Sequence, residues 1–224
     1  MASPGELLDH VQAQLEAIHD EGSALRARDF LMGKKLLLGL GRRPAAPEEL
    51  LVVEEPGGLS VGLYLAPELF QELRRVQPDG RSGASLATSL LPSFAAVTEG
   101  VSHFLYLSAA AEADRPVSRL ELEVQGEVDK FAAAALHLWG RGLARLVGGL
   151  CDQLFRHVSY LPHLSADERQ RYETANRLAG GYARHLTERC VATGRLDAFL
   201  QELRRSYRLW AGDKLHHLGA FAAA

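Results

Sequence analysis

Three times in 224 residues a serine is followed three positions later by a glutamate at the head of a helical pattern: Ser3-Pro4-Gly5-Glu6, Ser118-Arg119-Leu120-Glu121 and Ser165-Ala166-Asp167-Glu168. In such a capping box the serine hydroxyl accepts from the third helical amide, and the glutamate reaches back to the serine amide. Pro4 also suits the first helical position, where no amide donor is needed. Helix starts spread from one end of the chain to the other commit it to a mainly α fold.

Behind Ser3, the apolar residues Leu7, Leu8, Val11, Leu15 and Ile18 keep the 3.6-residue period and predict a helix to about Asp20. From Pro92 onward every segment reads helical: Pro92–Ala113, broken by Arg115-Pro116, then Ser118–Trp139, roughly Leu150–Tyr160, Ser165–Cys190 and Arg195–Trp210. Gly194 fits a C-terminal cap. Leu196, Phe199, Leu200, Leu203, Tyr207 and Trp210 form the most regular amphipathic stripe.

One stretch breaks the helical pattern. Leu50–Glu55 and Leu59–Leu65 flank Glu55-Pro56-Gly57-Gly58, which suits a type II turn with Gly57 at positive φ. Leu59, Val61, Leu63 and Leu65 alternate with Ser60, Gly62 and Tyr64, so one face of this hairpin should be buried. A hairpin alone is marginal in water, so it must lie on helices. A short helix after Pro67 should turn Leu69, Phe70 and Leu73 inward. Residues 22–47 read as a short helical piece and a proline-bounded loop, and 76–91 as a flexible loop.

The expected architecture is therefore α+β and a single domain over 1–224. It comprises a helical segment over 1–30, a hairpin plus short helix over 48–75, and an orthogonal multi-helix bundle over 92–221. Hydrophobic residues make up 47% of the chain, enough for a real core. The net charge of −3 argues against bulk attraction to nucleic acid or anionic lipid. No run approaches the roughly 20 apolar residues of a membrane helix, and the N-terminus has no apolar secretory core. Two cysteines without a CxxC motif exclude a disulfide framework and point to a reducing cytosol. Arginine far outnumbers lysine, as in high-GC bacterial genomes.

Polar residues in apolar surroundings give the functional candidates. On the Pro92–Ala113 helix, Phe94, Val97, Val101 and Leu105 share one face, while Glu99, His103 and Tyr106 lie opposite. Ala96, Gly100, Leu107 and Ala110 accompany them, which predicts a helix covered on both sides. On the next helix Glu127 falls within the face of Leu120, Val124 and Phe131, with Glu123 and Lys130 at its margin. A buried carboxylate needs a partner, and Lys130 or His103 can supply one. Asn176 shares a face with Tyr172, Ala175 and Ala183 and should be hydrogen-bonded. Glu99, His103 and Glu127 are thus the catalytic candidates, and Glu123, Lys130, Tyr106 and Asn176 the ligand-binding ones.

Named motifs fail. A di-iron bundle requires Glu-x-x-His on two helices, whereas Glu99–His103 and Glu123–Glu127 are four apart. HExxH, GxSxG and a strand-linked GxGxxG do not occur, and no cofactor is implied. The leading expectation is a non-catalytic cytosolic interaction or regulatory protein, with a protein partner or self-association. A metal or acid–base centre on the Glu/His residues is the second. The third is a nucleic-acid binder, since Ser165–Ala224 carries ten Lys and Arg against seven Asp and Glu.

Overall fold

The computed structural model describes residues 3–56, 58–74 and 89–222. In order these form α1 (Pro4–His19), a 3₁₀ turn (Ala27–Phe30), β1 (Leu31–Met32), α2 (Lys34–Gly39), β2 (Glu48–Glu55), β3 (Gly58–Leu65) and α3 (Pro67–Arg74). Then follow α4 (Leu91–Glu112), α5 (Arg119–Gly140), α6 (Val147–Phe155), α7 (Ala166–Leu186), α8 (Leu196–Arg208) and α9 (Ala211–Ala222). The fold is mainly α with one small sheet.

All three capping boxes form, with Ser3, Ser118 and Ser165 each accepting from the third amide and each glutamate closing the reciprocal bond. Each is worth about 1 kcal/mol. The second does more, because Glu121 Oε1 also accepts the Ala211 amide at 2.7 Å and ties the head of α9 to α5. Gly194 takes φ +68° after α7. The α geometry of α7 ends at Leu186 rather than Cys190, and Thr187–Val191 continues as a π turn. There the Thr187 hydroxyl donates back to the Ala183 carbonyl at 2.8 Å.

The α4–α5 pair is the centre of the core. Val97, Val101 and Phe104 of α4 meet Val124, Phe131 and the run Ala132–Ala135 of α5, all buried. α7 packs on α5, α6 and α9, while α1 packs on α4 and α8. The stripe of α8 buries Phe199, Leu203 and Tyr207, but its first member Leu196 is 39% exposed. The helix expected near Leu150–Tyr160 is the shorter Val147–Phe155.

The sheet corrects the sequence reading. It has three strands in the order β1-β3-β2, because Leu31–Met32 pairs parallel to Leu63–Tyr64. The segment read as a helical piece and loop does hold a short helix, α2, followed by a loop, but a 3₁₀ turn and this strand precede it. A central strand is covered on both faces, so β3 does not alternate: Gly62, Leu63, Tyr64 and Leu65 are all buried, while Leu59 at the hairpin end is 43% exposed. Tyr64 joins Leu37 and Leu51 in a second small core. Gly57 and most of the expected 76–91 loop (76–88) lie outside the described residues.

The sheet reaches α4 at Gly100. A Cβ there would stand 2.9 Å from Glu48 Cγ and 3.1 Å from Leu63 and Leu65, so only glycine permits this approach. That contact carries the first residue of β2 to the polar side of α4.

Candidate functional site

Glu99 and His103 leave α4 one turn apart, and Glu123, Glu127 and Lys130 leave the facing side of α5. The structure brings all five together. Lys130 Nζ stands 3.0 Å from Glu99 Oε2 and 3.0 Å from Glu127 Oε1, so one ammonium is shared by two carboxylates. Of the two partners expected for Glu127, the structure supplies Lys130.

His103 turns its Nδ1 to Glu48 Oε1 at 3.5 Å. Its Nε2 is buried with no hydrogen-bond partner among the described residues. The imidazole is 8% exposed. Above it α5 presents bare backbone: a Cβ on Gly126 would lie 2.9 Å from Nε2 and 3.3 Å from Glu99 Cγ. Glu123 completes the group, with Arg171 of α7 loosely opposite at 3.5 Å. One potential ligand atom from each of Glu99, His103 and Glu123 lies within 4.8 Å of the others.

The electrostatics follow from an excess of carboxylates in a buried space. Burial raises the Glu48 and Glu127 carboxyls and takes Glu123 to about 7. Burial acts on Glu99 in the same sense, but Lys130 and His103 outweigh it and hold that carboxyl below its ordinary range. For His103, burial alone would depress the imidazole. The Glu48 contact and the charges of Glu99 and Glu123 overcome it and raise it to about 9. Lys130 is likewise raised, because Glu127 and Glu99 more than offset its burial.

Two candidates lie elsewhere. Tyr106 belongs to a second buried cluster, on the other side of α5. There Asp129 accepts from His19 Nε2 at 2.8 Å, Gln125 Nε2 at 2.9 Å and Ser102 Oγ at 2.6 Å. Lys214 of α9 donates to Gln125 Oε1 at 2.5 Å and lies over the Tyr106 ring, 4.2 Å from its centroid. Burial drives its ammonium down to about 7 against the pull of Asp129 and Glu121. Asn176 is half-buried, and its amide makes only a long 3.5 Å bond to the Leu154 carbonyl. It braces α6 rather than facing the Glu/His group.

Sequence reasoning missed Glu48 and Arg171. Glu48 is one of two adjacent glutamates heading a strand, and only the fold shows which of them meets a histidine about 50 residues away. A usable signal was Gly100, a glycine inside a strong helix, which often marks a close backbone approach. Several basic residues of the C-terminal third are engaged within the chain. Arg204 caps the Ala17 and Ile18 carbonyls, Arg208 pairs with Glu21, and Lys214 is buried.

No known protein family matches the chain, and no curated protein or solved structure matches it.

Proposed function

We propose that the protein is a non-catalytic, metal-responsive interaction protein whose divalent ion is held by Glu99, His103 and Glu123. The observation that carries this reading is the state of His103: a carboxylate at Nδ1 and a buried, unpartnered Nε2 beside two further carboxylates. A histidine that ligates a metal through one nitrogen usually gives the other to a carboxylate, which fixes its tautomer and orientation. Glu48 stands in that place. One imidazole with two carboxylates suits zinc, manganese or ferrous iron, and the missing side chain of Gly126 lets the α5 backbone approach the free nitrogen closely.

The ligands come from α4 and α5, so an ion would fasten these two helices together, with the sheet tied in only through Glu48 at His103. Among the described residues, the most exposed large apolar side chains lie in and just after α2 and on β2. Leu36 and Leu38 of α2, Leu40 just after it and Val53 of β2 are 48–60% exposed and offer a contact surface for a protein partner or a second copy. Within the described residues no helix is long and apolar enough to cross a membrane. Buried free Cys151 and Cys190 suit a reducing compartment such as the cytosol. An acid–base enzyme on the same residues has less support, because the cleft lined by His19, Tyr207 and Trp210 includes none of them.

The test is elemental analysis of the purified protein, with titration of zinc and manganese into chelator-treated protein and thermal unfolding at each step. About one ion per chain is expected. At a hundredfold excess over Kd the ion should stabilise the fold by about 2.7 kcal/mol. His103→Gln and Glu123→Gln should remove both the ion and the stabilisation. A wild-type protein that stays metal-free and unshifted by either ion overturns the reading.

A further inference from the structure

A cleft of about 330 Å³ opens where α1, α4 and α8 end. His19, Glu112 and Arg208 are the last residues of these three helices, and all three line it. Helix C-termini carry partial negative charge from their unsatisfied carbonyls, so convergence of three such ends creates a field that favours a cation. Glu16, Glu21 and Glu112 add carboxylates to the same wall. Three cations already answer part of this field: Arg208 pairs with Glu21 at 3.2 Å, Arg26 with Glu16 at 3.5 Å, and Arg204 takes two carbonyls at the end of α1. Glu112 stands exposed at the end of α4.

The other part of the cleft is apolar and aromatic. Tyr207 and Trp210 line it with Leu15 and Leu105, and the Arg115 guanidinium already covers one face of Trp210, 2.9 Å from its ring centroid. His19 stacks on Tyr207 with ring centroids 3.9 Å apart and is only 3% exposed. Its Nε2 is engaged by Asp129, which is itself fixed by Ser102 and Gln125. Its Nδ1 is buried and has no partner among the described residues. With Asp129 accepting from Nε2, the neutral form of the imidazole has its lone pair on Nδ1, across the ring from Asp129.

We propose that this cleft binds a small protonated amine with an apolar body. Glu112 and the helix ends attract its charge, Tyr207 and Trp210 pack its body, and His19 Nδ1 accepts one of its N–H groups. Aromatic faces joined to carboxylates are a general way of holding organic cations. The site is independent of the Glu99–His103–Glu123 group, and neither reading requires the other.

Benzylamine is the probe, compared with benzyl alcohol and benzoate, which share its body but not its charge. Binding is followed through the His19 ring nitrogen signals in chelator-treated full-length protein. Benzylamine should shift those signals saturably, benzyl alcohol should bind about tenfold or more weakly, and benzoate should not bind. Glu112→Gln alters an exposed side chain and should fold normally. It should weaken benzylamine about tenfold, near 1.4 kcal/mol. Equal binding of the three probes, benzylamine binding that leaves His19 unmoved, or no binding at all would each overturn the proposal.

Discussion

Glu123, Glu127 and Lys130 leave one side of α5, while Glu121, Gln125 and Asp129 leave the other, and the two sides solve the same problem differently. Around Asp129 the hydrogen bonding of the carboxylate itself is complete, although His19 Nδ1 and the Tyr106 hydroxyl in the same cluster are buried without partners among the described residues. The carboxylate accepts three donors, and Gln125 relays to Lys214. Around His103 it is not. Four carboxylates (Glu48, Glu99, Glu123, Glu127) face two permanent cations (Lys130, Arg171), and the contacts at Glu48 and Glu123 are both 3.5 Å. A satisfied buried network rigidifies a fold, whereas unmatched buried groups are costly. The Asp129 side therefore holds the bundle together, and the His103 side keeps capacity for something else to bind.

The sharpest way to break this comparison is to remove one carboxylate from each side. Asp129→Ala strips His19, Ser102 and Gln125 of their common acceptor and should cost about 3–5 kcal/mol. Glu123→Gln removes a charge from a crowded group and should stay within about 1 kcal/mol of wild type in metal-free protein. Urea midpoints measure both. Equal losses would mean that both clusters are scaffolding.

Proton linkage separates the sides by sign. His103 titrates at about 9 in the fold against an ordinary 6.5. The folded state holds that proton more tightly, so its stabilisation is full below about 6.5 and is lost as pH rises towards 9. Lys214 runs the other way, at about 7 against 10.5. Between those values the unfolded chain holds the extra proton. The cost of charging Lys214 is therefore present in full below about 7, and stability rises from there towards pH 10.5. Each slope is limited to about 1.4 kcal/mol per pH unit. Near pH 8 the two oppose, and wild-type stability should be nearly flat. In chelator-treated protein His103→Gln should leave a rising profile and Lys214→Met a falling one. Parallel profiles in the two variants would show that these groups do not differ as the comparison requires.

A narrower probe is Gly126→Ala. Alanine is the better helix former by up to about 1 kcal/mol, but its methyl would press on His103 Nε2 and the Glu99 stem. The two effects nearly cancel in stability. Metal affinity should fall about 10–100-fold, as when the support of a ligating histidine is disturbed. Unchanged affinity for zinc and manganese would place the ion elsewhere.

How much of this was legible in the residues differs between the clusters for a physical reason. Serine-glutamate spacing gave the three main helix starts, because a cap is a local event. Helical spacing put Glu99 with His103 and Glu127 with Lys130, and the missing surface charges around Glu99 pointed to a helix covered on both sides. Glu48 was not legible, since strand position alone does not tell it from Glu49. Nor was β1, a two-residue strand whose only support is pairing with β3. The Asp129 cluster escaped altogether except for Tyr106. His19, Ser102, Asp129 and Lys214 come from four different helices, and each alone reads as an ordinary helical polar residue.

The smallest expected effect falls on the residue that looked most anomalous in the sequence. Glu127 shares Lys130 with Glu99, so Glu127→Gln leaves the ammonium one full carboxylate and an amide oxygen. Burial already raises the Glu127 carboxyl, which means that the neutral side chain costs little to accommodate. Stability should change by less than about 1 kcal/mol. Bound metal should be unchanged, because the ligand atoms that converge come from Glu99, His103 and Glu123. Glu99→Gln differs in both respects: it removes a converging donor as well as the carboxylate that Lys130 holds below its ordinary range. Elemental analysis of the two variants side by side decides the matter. If Glu127→Gln loses the ion as Glu99→Gln does, the centre extends along α5 and Lys130 must yield its place when the metal arrives.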